Sequence, residues 1–278
     1  MSLGVLTNIA AIYAQNNLNQ TQGNLQKTLQ ELSSGSRINS GADDAAGLAV
    51  ADGLRANQAA LSQSAQNAQS GVGLLQTADG ALAQVTNLLT RATTLATEAT
   101  NSTFNTAQLT AANTEFQSIV TEINNIGSTT NFNGNAVFSA TAASIVTTDG
   151  TTSGTATFAP VVGVLTSTSI GGTAVTLGAD VLTSNASAKT ALADITASIA
   201  ATAAQRGTIG ASINQLSAAS SVASTEQVNL ASAESSIRAT NYGQAASDLA
   251  KYQVLSQTGI SALAQANSVQ NEVLKLLQ

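Results

Sequence analysis

Pro160 is the one proline in a chain of 278 residues, and it leaves two proline-free flanks of more than a hundred residues each. Proline inside a helix removes a hydrogen bond and clashes with the preceding turn, so its absence leaves both flanks free to form very long helices. Only 9% of the residues are charged, against about 25% in an ordinary soluble domain. Helices so long and so poor in charge cannot be satisfied as a lone globule. They need one another, and neighbouring copies of the same chain. The middle, rich in Gly and Thr, reads as strand and turn. The expected fold class is therefore mainly α: a long antiparallel helical bundle or coiled coil built from both chain ends, with a small β-rich central insert.

Aromatics make up 3% and Trp is absent, so the core must be filled by Leu, Ile, Val and Ala, whose small layers let helices approach closely. Two-stranded coiled coils rely on charged flanking positions. Here Asn, Gln, Ser and Thr take those positions, so polar faces can pack together with little desolvation of full charges. A net charge of −6, a pI near 4.4 and scattered basic residues argue against nucleic acid as a partner. There is no apolar run of 18 or more residues, so no membrane span is expected. The segment Met1–Leu6 lacks the basic region and cleavage site of a secretory signal. Neither Cys nor His occurs, which removes thiol nucleophiles, disulfides, thiolate metal ligands and the commonest general base. With no nucleophile–base pair or ligand cluster in view, no enzymatic activity, catalytic residue, metal or cofactor is expected.

Along the first flank, Leu3, Leu6, Ile9, Tyr13, Leu18, Leu25, Leu29 and Leu32 form an apolar stripe that Ser33-Ser34-Gly35-Ser36 brings to an end. Asp43 reads as the N-cap of a second helix, with Asp44 in its first turn. That helix continues to about Thr100 through Leu61, Leu75, Leu82 and Leu89, roughly 80 Å at about 1.5 Å per residue. Gly71, Gly73 and Gly80 within it mark either weak points or close packing. Leu109, Ala112, Phe116, Ile119, Ile123 and Ile126 predict a further helix, and Asn133-Gly134 a tight hairpin. Asp149-Gly150 and Gly171-Gly172 sit between strand-like runs, including Val164 to Ile170 and Thr173 to Leu177; a flexible low-complexity linker is the alternative. The second flank holds a seven-residue row, Ile195, Thr202, Ile209, Leu216, Ala223, Leu230 and Ile237, which predicts coiled-coil-like packing. Its companion row is Leu192, Ile199, Arg206 and Ile213, with Arg206 reaching a carboxylate on a facing helix. A last amphipathic segment runs from Gly243 to Gln278 through Leu249, Tyr252, Leu263, Val273 and Leu277.

Several of these segments together resemble one family. Leu32-Ser33-Ser34-Gly35-Ser36-Arg37-Ile38-Asn39-Ser40, followed by Asp43-Asp44-Ala45-Ala46-Gly47-Leu48-Ala49, is similar to the N-terminal signature of bacterial flagellins, and Gln15-Asn16-Asn17-Leu18 also fits. Leu263-Ala264-Gln265-Ala266-Asn267 and Val273-Leu274-Lys275-Leu276-Leu277 resemble the flagellin C-terminus. The resemblance covers residues 1–138 and 187–278. It departs at Glu31, where the family usually has a basic residue, and at Arg238-Ala239-Thr240-Asn241-Tyr242, where acidic residues are usual before the aromatic.

The resemblance implies a compact flagellin in five parts: 1–40 and 241–278 as the two halves of an inner coiled-coil domain, 41–138 (with its hairpin) and 187–240 as an outer helical domain, and 139–186 as a variable surface insert. It implies an inner assembly interface at Leu3, Leu6, Ile9, Leu18, Leu25, Leu32, Leu249, Leu263, Val273 and Leu277. Packing of the helical domain would fall to Leu61, Leu75, Leu89, Ile195, Ile209, Leu216, Leu230 and Ile237. Arg91, Leu95 and Glu115 match positions where enteric flagellins contact Toll-like receptor 5; the plainer reading is ordinary helix-surface and intersubunit residues. The implied function is polymerisation of identical copies into a hollow helical filament used for swimming. The implied partners are an export chaperone, a cap and hook-associated junction proteins, with export by the flagellar type III route and an extracellular location on the bacterial flagellum. A hook–filament junction protein, and a secreted adhesin carrying the insert on a helical stalk, are the alternatives.

Overall fold

The structure, a computed structural model, describes residues 7–148 and 157–276. Helix α1 (Ile9–Ser34) opens on Asn8, whose side-chain oxygen accepts the Ala11 amide at 3.0 Å. It closes at Gly35, whose φ of 69° is the left-handed geometry glycine adopts without strain. The Gly35 amide then satisfies the Glu31 carbonyl. The Ser/Gly cluster thus stops the helix as expected, through a defined cap.

Helix α2 (Ala45–Ala99) begins one residue later than the sequence reading had it. Asp44, not Asp43, is the cap: its carboxylate accepts the Gly47 amide at 2.8 Å and its carbonyl the Leu48 amide at 3.0 Å. Asp43 is drawn instead to donors upstream. It accepts from the amides of Asn39 and Ser40 and the Ser40 hydroxyl, and pairs with Lys27 of α1 at 2.8 Å. The Lys27 ammonium, with these hydrogen bonds, holds its carboxyl down at about 2.

Helix α3 (Thr106–Thr129) starts with a reciprocal cap in which Asn105 accepts the Gln108 amide and the Gln108 side chain accepts the Asn105 amide. Strands β1 (Asn131–Phe132) and β2 (Asn135–Ala136) form the expected hairpin, turning at Asn133 (φ 51°) and Gly134 (φ 80°). In the insert, β3 (Ile145–Val146) pairs antiparallel with β4 (Thr157–Phe158). Beyond Pro160 the run Val164 to Ile170 is not one strand. It folds back at Ser167-Thr168 into β5 (Leu165–Thr166) and β6 (Ser169–Ile170), and Gly171-Gly172 turns the chain once more into β7 (Thr173–Ala174). The fold-back is held by Asn124 of α3, whose side-chain oxygen accepts the Ser167 amide at 2.7 Å. These described parts of the insert are packed: Leu165, Ile170, Leu177 and Leu182 are buried in the same core as the helices.

Helix α4 (Asn185–Arg238) returns through the core, and α5 (Tyr242–Leu276) follows. The chain forms two compact units, one of residues up to Arg55 with those from Leu230 on, the other Ala56–Asn229. In the second unit, Leu75, Leu82 and Leu89 of α2, Phe116 and Ile123 of α3, and Ile195 and Ile209 of α4 are sealed from solvent. The backbones come close where glycine allows it. A Cβ at Gly127 of α3 would collide with the Leu165 carbonyl, and one at Gly71 of α2 with the Ile145 side chain. Gly80, by contrast, has open space around it.

The seven-residue row of α4 is buried from Ile195 to Ala223 and half-buried at Leu230 and Ile237. Its predicted companions Leu192, Ile199, Arg206 and Ile213 are only half-buried. The deeper companion row is Ala191, Ser198, Gln205 and Ser212, small and polar residues at the same spacing. The burial of Ser198 and Gln205 is tolerable because their donors are occupied. The Ser198 hydroxyl donates to the Asp194 carbonyl at 2.7 Å, and the Gln205 amide donates to the carbonyls of Val161 and Val162. Arg206 does reach a carboxylate on a facing helix, that of Asp79, through two hydrogen bonds.

Candidate assembly surface

Helices α1 and α5 run antiparallel in the first unit. The Asn8 side-chain amide donates to the Ala266 carbonyl at 2.9 Å near one end. Leu18 lies against Gly259 midway, where a Cβ would stand 3.2 Å from its methyl. At the other end the connections after α1 and before α5 are clasped. Ser36 and Ala239 form an antiparallel bridge, flanked by Arg37 N–H to the Arg238 carbonyl (2.7 Å) and Thr240 N–H to the Gly35 carbonyl (3.1 Å). Beside the clasp, Arg55 of α2 pairs with Glu234 of α4 at 2.9 Å, and Arg238 lies within 3.8 Å of Asp52 and Glu234. The basic Arg238, a departure from the family pattern, thus has acidic neighbours within its own chain.

What this pair of helices buries is slight. Leu18 and Thr28 of α1 and Ala245 of α5 are buried, and Leu25, Leu32, Leu249 and Leu263 are half-buried. Ile9 is 57% exposed, Tyr13 67% and Val254 62%, and Ile12, Leu29, Leu255, Ile260 and Val269 are exposed as well. An open groove of about 490 Å³ between the two helices is lined by Asn8, Ala11, Ile12, Asn16, Leu263 and Asn267. Two apolar edges therefore flank a thin seam. Sequence reasoning found the seam and missed Ile12, Val254, Leu255, Ile260 and Val269. Val254, Leu255, Ile260 and Val269 stand in the sequence as apolar positions off the Leu249–Tyr252–Leu263 line, but nothing there says that they stay uncovered. Of the predicted inner positions, Leu3, Leu6 and Leu277 lie outside the described residues, as do the Val273 side chain and the Asp149-Gly150 turn.

The positions expected to pack the helical domain are placed as follows: Leu61, Leu75, Leu89, Ile195, Ile209 and Leu216 are buried, and Leu230 and Ile237 are half-buried. Arg91 of α2 and Glu115 of α3 lie on the surface and hold each other through two hydrogen bonds of 2.7 and 3.1 Å. This pairing lowers the Glu115 carboxyl below its ordinary range and raises the Arg91 guanidinium. Leu95 is buried, 3% exposed, so it does not share their surface. Among the described residues no cluster of three or more His, Cys, Asp or Glu is placed to hold a metal ion. No described helix is long and apolar enough to cross a membrane.

The chain is similar to known proteins along most of its length. Residues 5–143 match the family model of the bacterial flagellin N-terminal helical region, and residues 192–277 that of the bacterial flagellin C-terminal helical region. A flagellin of Halalkalibacterium halodurans is 33% identical over 271 residues, covering 98% of both chains. The flagellar filament 30.7 kDa core protein of Treponema maltophilum is 32% identical over 281 residues, covering 97% of this chain and 98% of that one. The crystal structure of Bacillus cereus flagellin aligns with 29% identity and a TM-score of 0.48, over 56% of this chain and 88% of that one. Two terminal helical regions matched at their proper ends, and a full-length relative without large insertions, place the protein: it belongs to the bacterial flagellin family.

Proposed function

We infer that the chain is a structural subunit of a flagellar filament and that α1 and α5 are the elements that complete their packing only among copies. The observation that carries this is the pair of apolar edges on α1 and α5, with Ile9, Ile12, Tyr13, Val254, Leu255 and Ile260 left in water. Each such side chain contributes about 1.5–3 kcal/mol when fully buried, so covering them with neighbouring copies is a strong drive. Contacts of one patch with a different patch on the next copy do not close a dimer and propagate as a helix. The family assignment supports the same reading, as does a relative along nearly the whole chain that is itself a filament core protein.

In this reading residues 1–40 and 241–278 form the inner assembly domain, residues 41–138 and 187–240 the outer helical domain, and residues 139–186 the solvent-facing insert. The protein acts as a building block rather than a catalyst. It is exported through the flagellar route, with the chaperone, cap and hook-associated junction proteins of that route as partners. Recognition by Toll-like receptor 5, if this chain supports it, rests on Arg91 and Glu115 and not on the buried Leu95.

The test is seeded polymerisation of purified monomer, followed by negative-stain electron microscopy, with a chain lacking residues 1–32 and 243–278 beside it. Filaments from the full chain alone are the expected result. A full chain that stays monodisperse with seeds and precipitant would sink the reading.

A further inference from the structure

Asp180 stands where the insert hands over to α4, at the end of the short 3-10 turn Leu177–Ala179 and between the buried Leu177 and Leu182. The segment is tied to α3 on both sides: the Gln117 side chain donates to the Asp180 carbonyl at 2.7 Å, and Leu182 N–H donates to the Asn113 side-chain oxygen at 2.8 Å. Asp180 itself is 8% exposed, and its Oδ2 is buried with no hydrogen-bond partner. Asp194 on α4 is the charged group that acts on this carboxyl. A carboxylate buried without a donor is costly, and a proton removes that cost by leaving the group neutral.

We propose that the buried Asp180 carboxyl is a proton-operated latch, which keeps the end of the insert fastened to the helical core while it is neutral in mildly acidic solution and loosens it as the proton leaves. Among the described residues the surrounding elements offer no cation to replace that proton. α3 presents the neutral amides of Asn113 and Gln117, and α4 presents Asp194. The other charged residues nearby in sequence on the adjoining helices, Glu98 of α2, Glu115 and Glu122 of α3 and Lys189 of α4, are exposed. Burial, and after it the Asp194 charge, push the Asp180 carboxyl up to about 6.

The direction of the effect follows. A carboxyl whose pKa is raised by folding stabilises the fold while protonated, below its ordinary value near 4. That contribution is lost as pH rises through the folded value. The chain contains no His and no Cys, so no other side chain of ordinary pKa titrates between pH 5 and 7. The window belongs to Asp180.

The experiment uses the full chain as monomer. Thermal unfolding and amide exchange at Leu182 (corrected for the intrinsic pH dependence of exchange) are followed from pH 5 to 7.5, and the Asp180 carboxyl is titrated by carbon NMR. The unaltered chain is expected to lose a few degrees of melting temperature across the window and to exchange Leu182 faster at its upper end. Asp180→Asn should flatten both profiles and melt no lower than the parent at pH 7.5. Asp194→Asn, whose amide can donate to an ionised Asp180, should move the Asp180 midpoint down. An Asp180 midpoint below pH 5, or an unchanged slope in Asp180→Asn, would overturn the latch.

Discussion

The unit built on α2, α3 and α4 and the pair α1·α5 draw on the same small set of residues, yet one is finished and the other is not. In the first, Leu75, Leu82, Leu89, Phe116 and Ile123 disappear from solvent behind three helices and the insert. In the second, Leu18 alone among the large residues of α1 is buried, and Ile9, Ile12, Tyr13 and Leu29 remain exposed. The number of neighbours decides this rather than hydrophobicity. A helix with an apolar arc of 100° or more satisfies it only against several partners, and among the described residues α1 and α5 pack chiefly against each other. A filament subunit is expected to divide its apolar surface in this way. In the proposed reading the finished part carries the fold, and the unfinished part carries the association.

That contrast can be tested from both sides. Phe116→Ala removes the largest sealed side chain of the finished unit and should cost about 3–5 kcal/mol, read by chemical denaturation of the monomer. Gly127→Ala forces a methyl onto the Leu165 carbonyl; about 1–3 kcal/mol is expected, seen as a lowered melting temperature. Asn105→Ala breaks the reciprocal cap of α3 and should cost about 1 kcal/mol by the same measurement. In the unfinished part, acid acts on a single turn. Asp43 is held at about 2, so its contribution is present above the ordinary carboxylate value near 4 and is lost as pH falls through about 2. Protection of the Ser40 amide, which Asp43 accepts, should fade over that interval. The smallest effect on the monomer should come from Val254→Ser with Ile260→Ser, within about 0.5 kcal/mol. The same pair should raise the critical concentration for polymerisation at least about tenfold. A monomer badly destabilised by that pair would erase the distinction between the two regions.

The long helices were legible in the sequence because proline is absent and because leucine and isoleucine recur at helical intervals. The hairpin at Asn133-Gly134 was legible because few other residue pairs tolerate two positive φ angles. What escaped notice was hidden by polarity. Ser198, Gln205 and Ser212 look like a wet face, yet that face is buried, and the Ser198 hydroxyl and Gln205 amide find partners inside the fold. The Asp43–Asp44 exchange turned on Lys27, some sixteen residues upstream, beyond the reach of any capping rule. The fold-back at Ser167-Thr168 turned on Asn124, a residue of another element. Of the assembly surface, the seam at Leu18, Leu25, Leu249 and Leu263 was readable as a stripe. The flanking edges were not, since nothing in a single stripe tells which apolar residues the partner helix will leave uncovered.

The clasp between Ser36 and Ala239, and the bond from Asn8 to Ala266 across 258 positions, also set a timetable. A chain emerges from its N-terminal side at about 5–20 residues per second, so α1 leaves the ribosome some ten seconds or more before α5 exists. For that interval the first helix made has no counterpart, and most of a helix's stability in a protein comes from packing its apolar face against one. The earliest part of this molecule to be synthesised is among the last to acquire its structure.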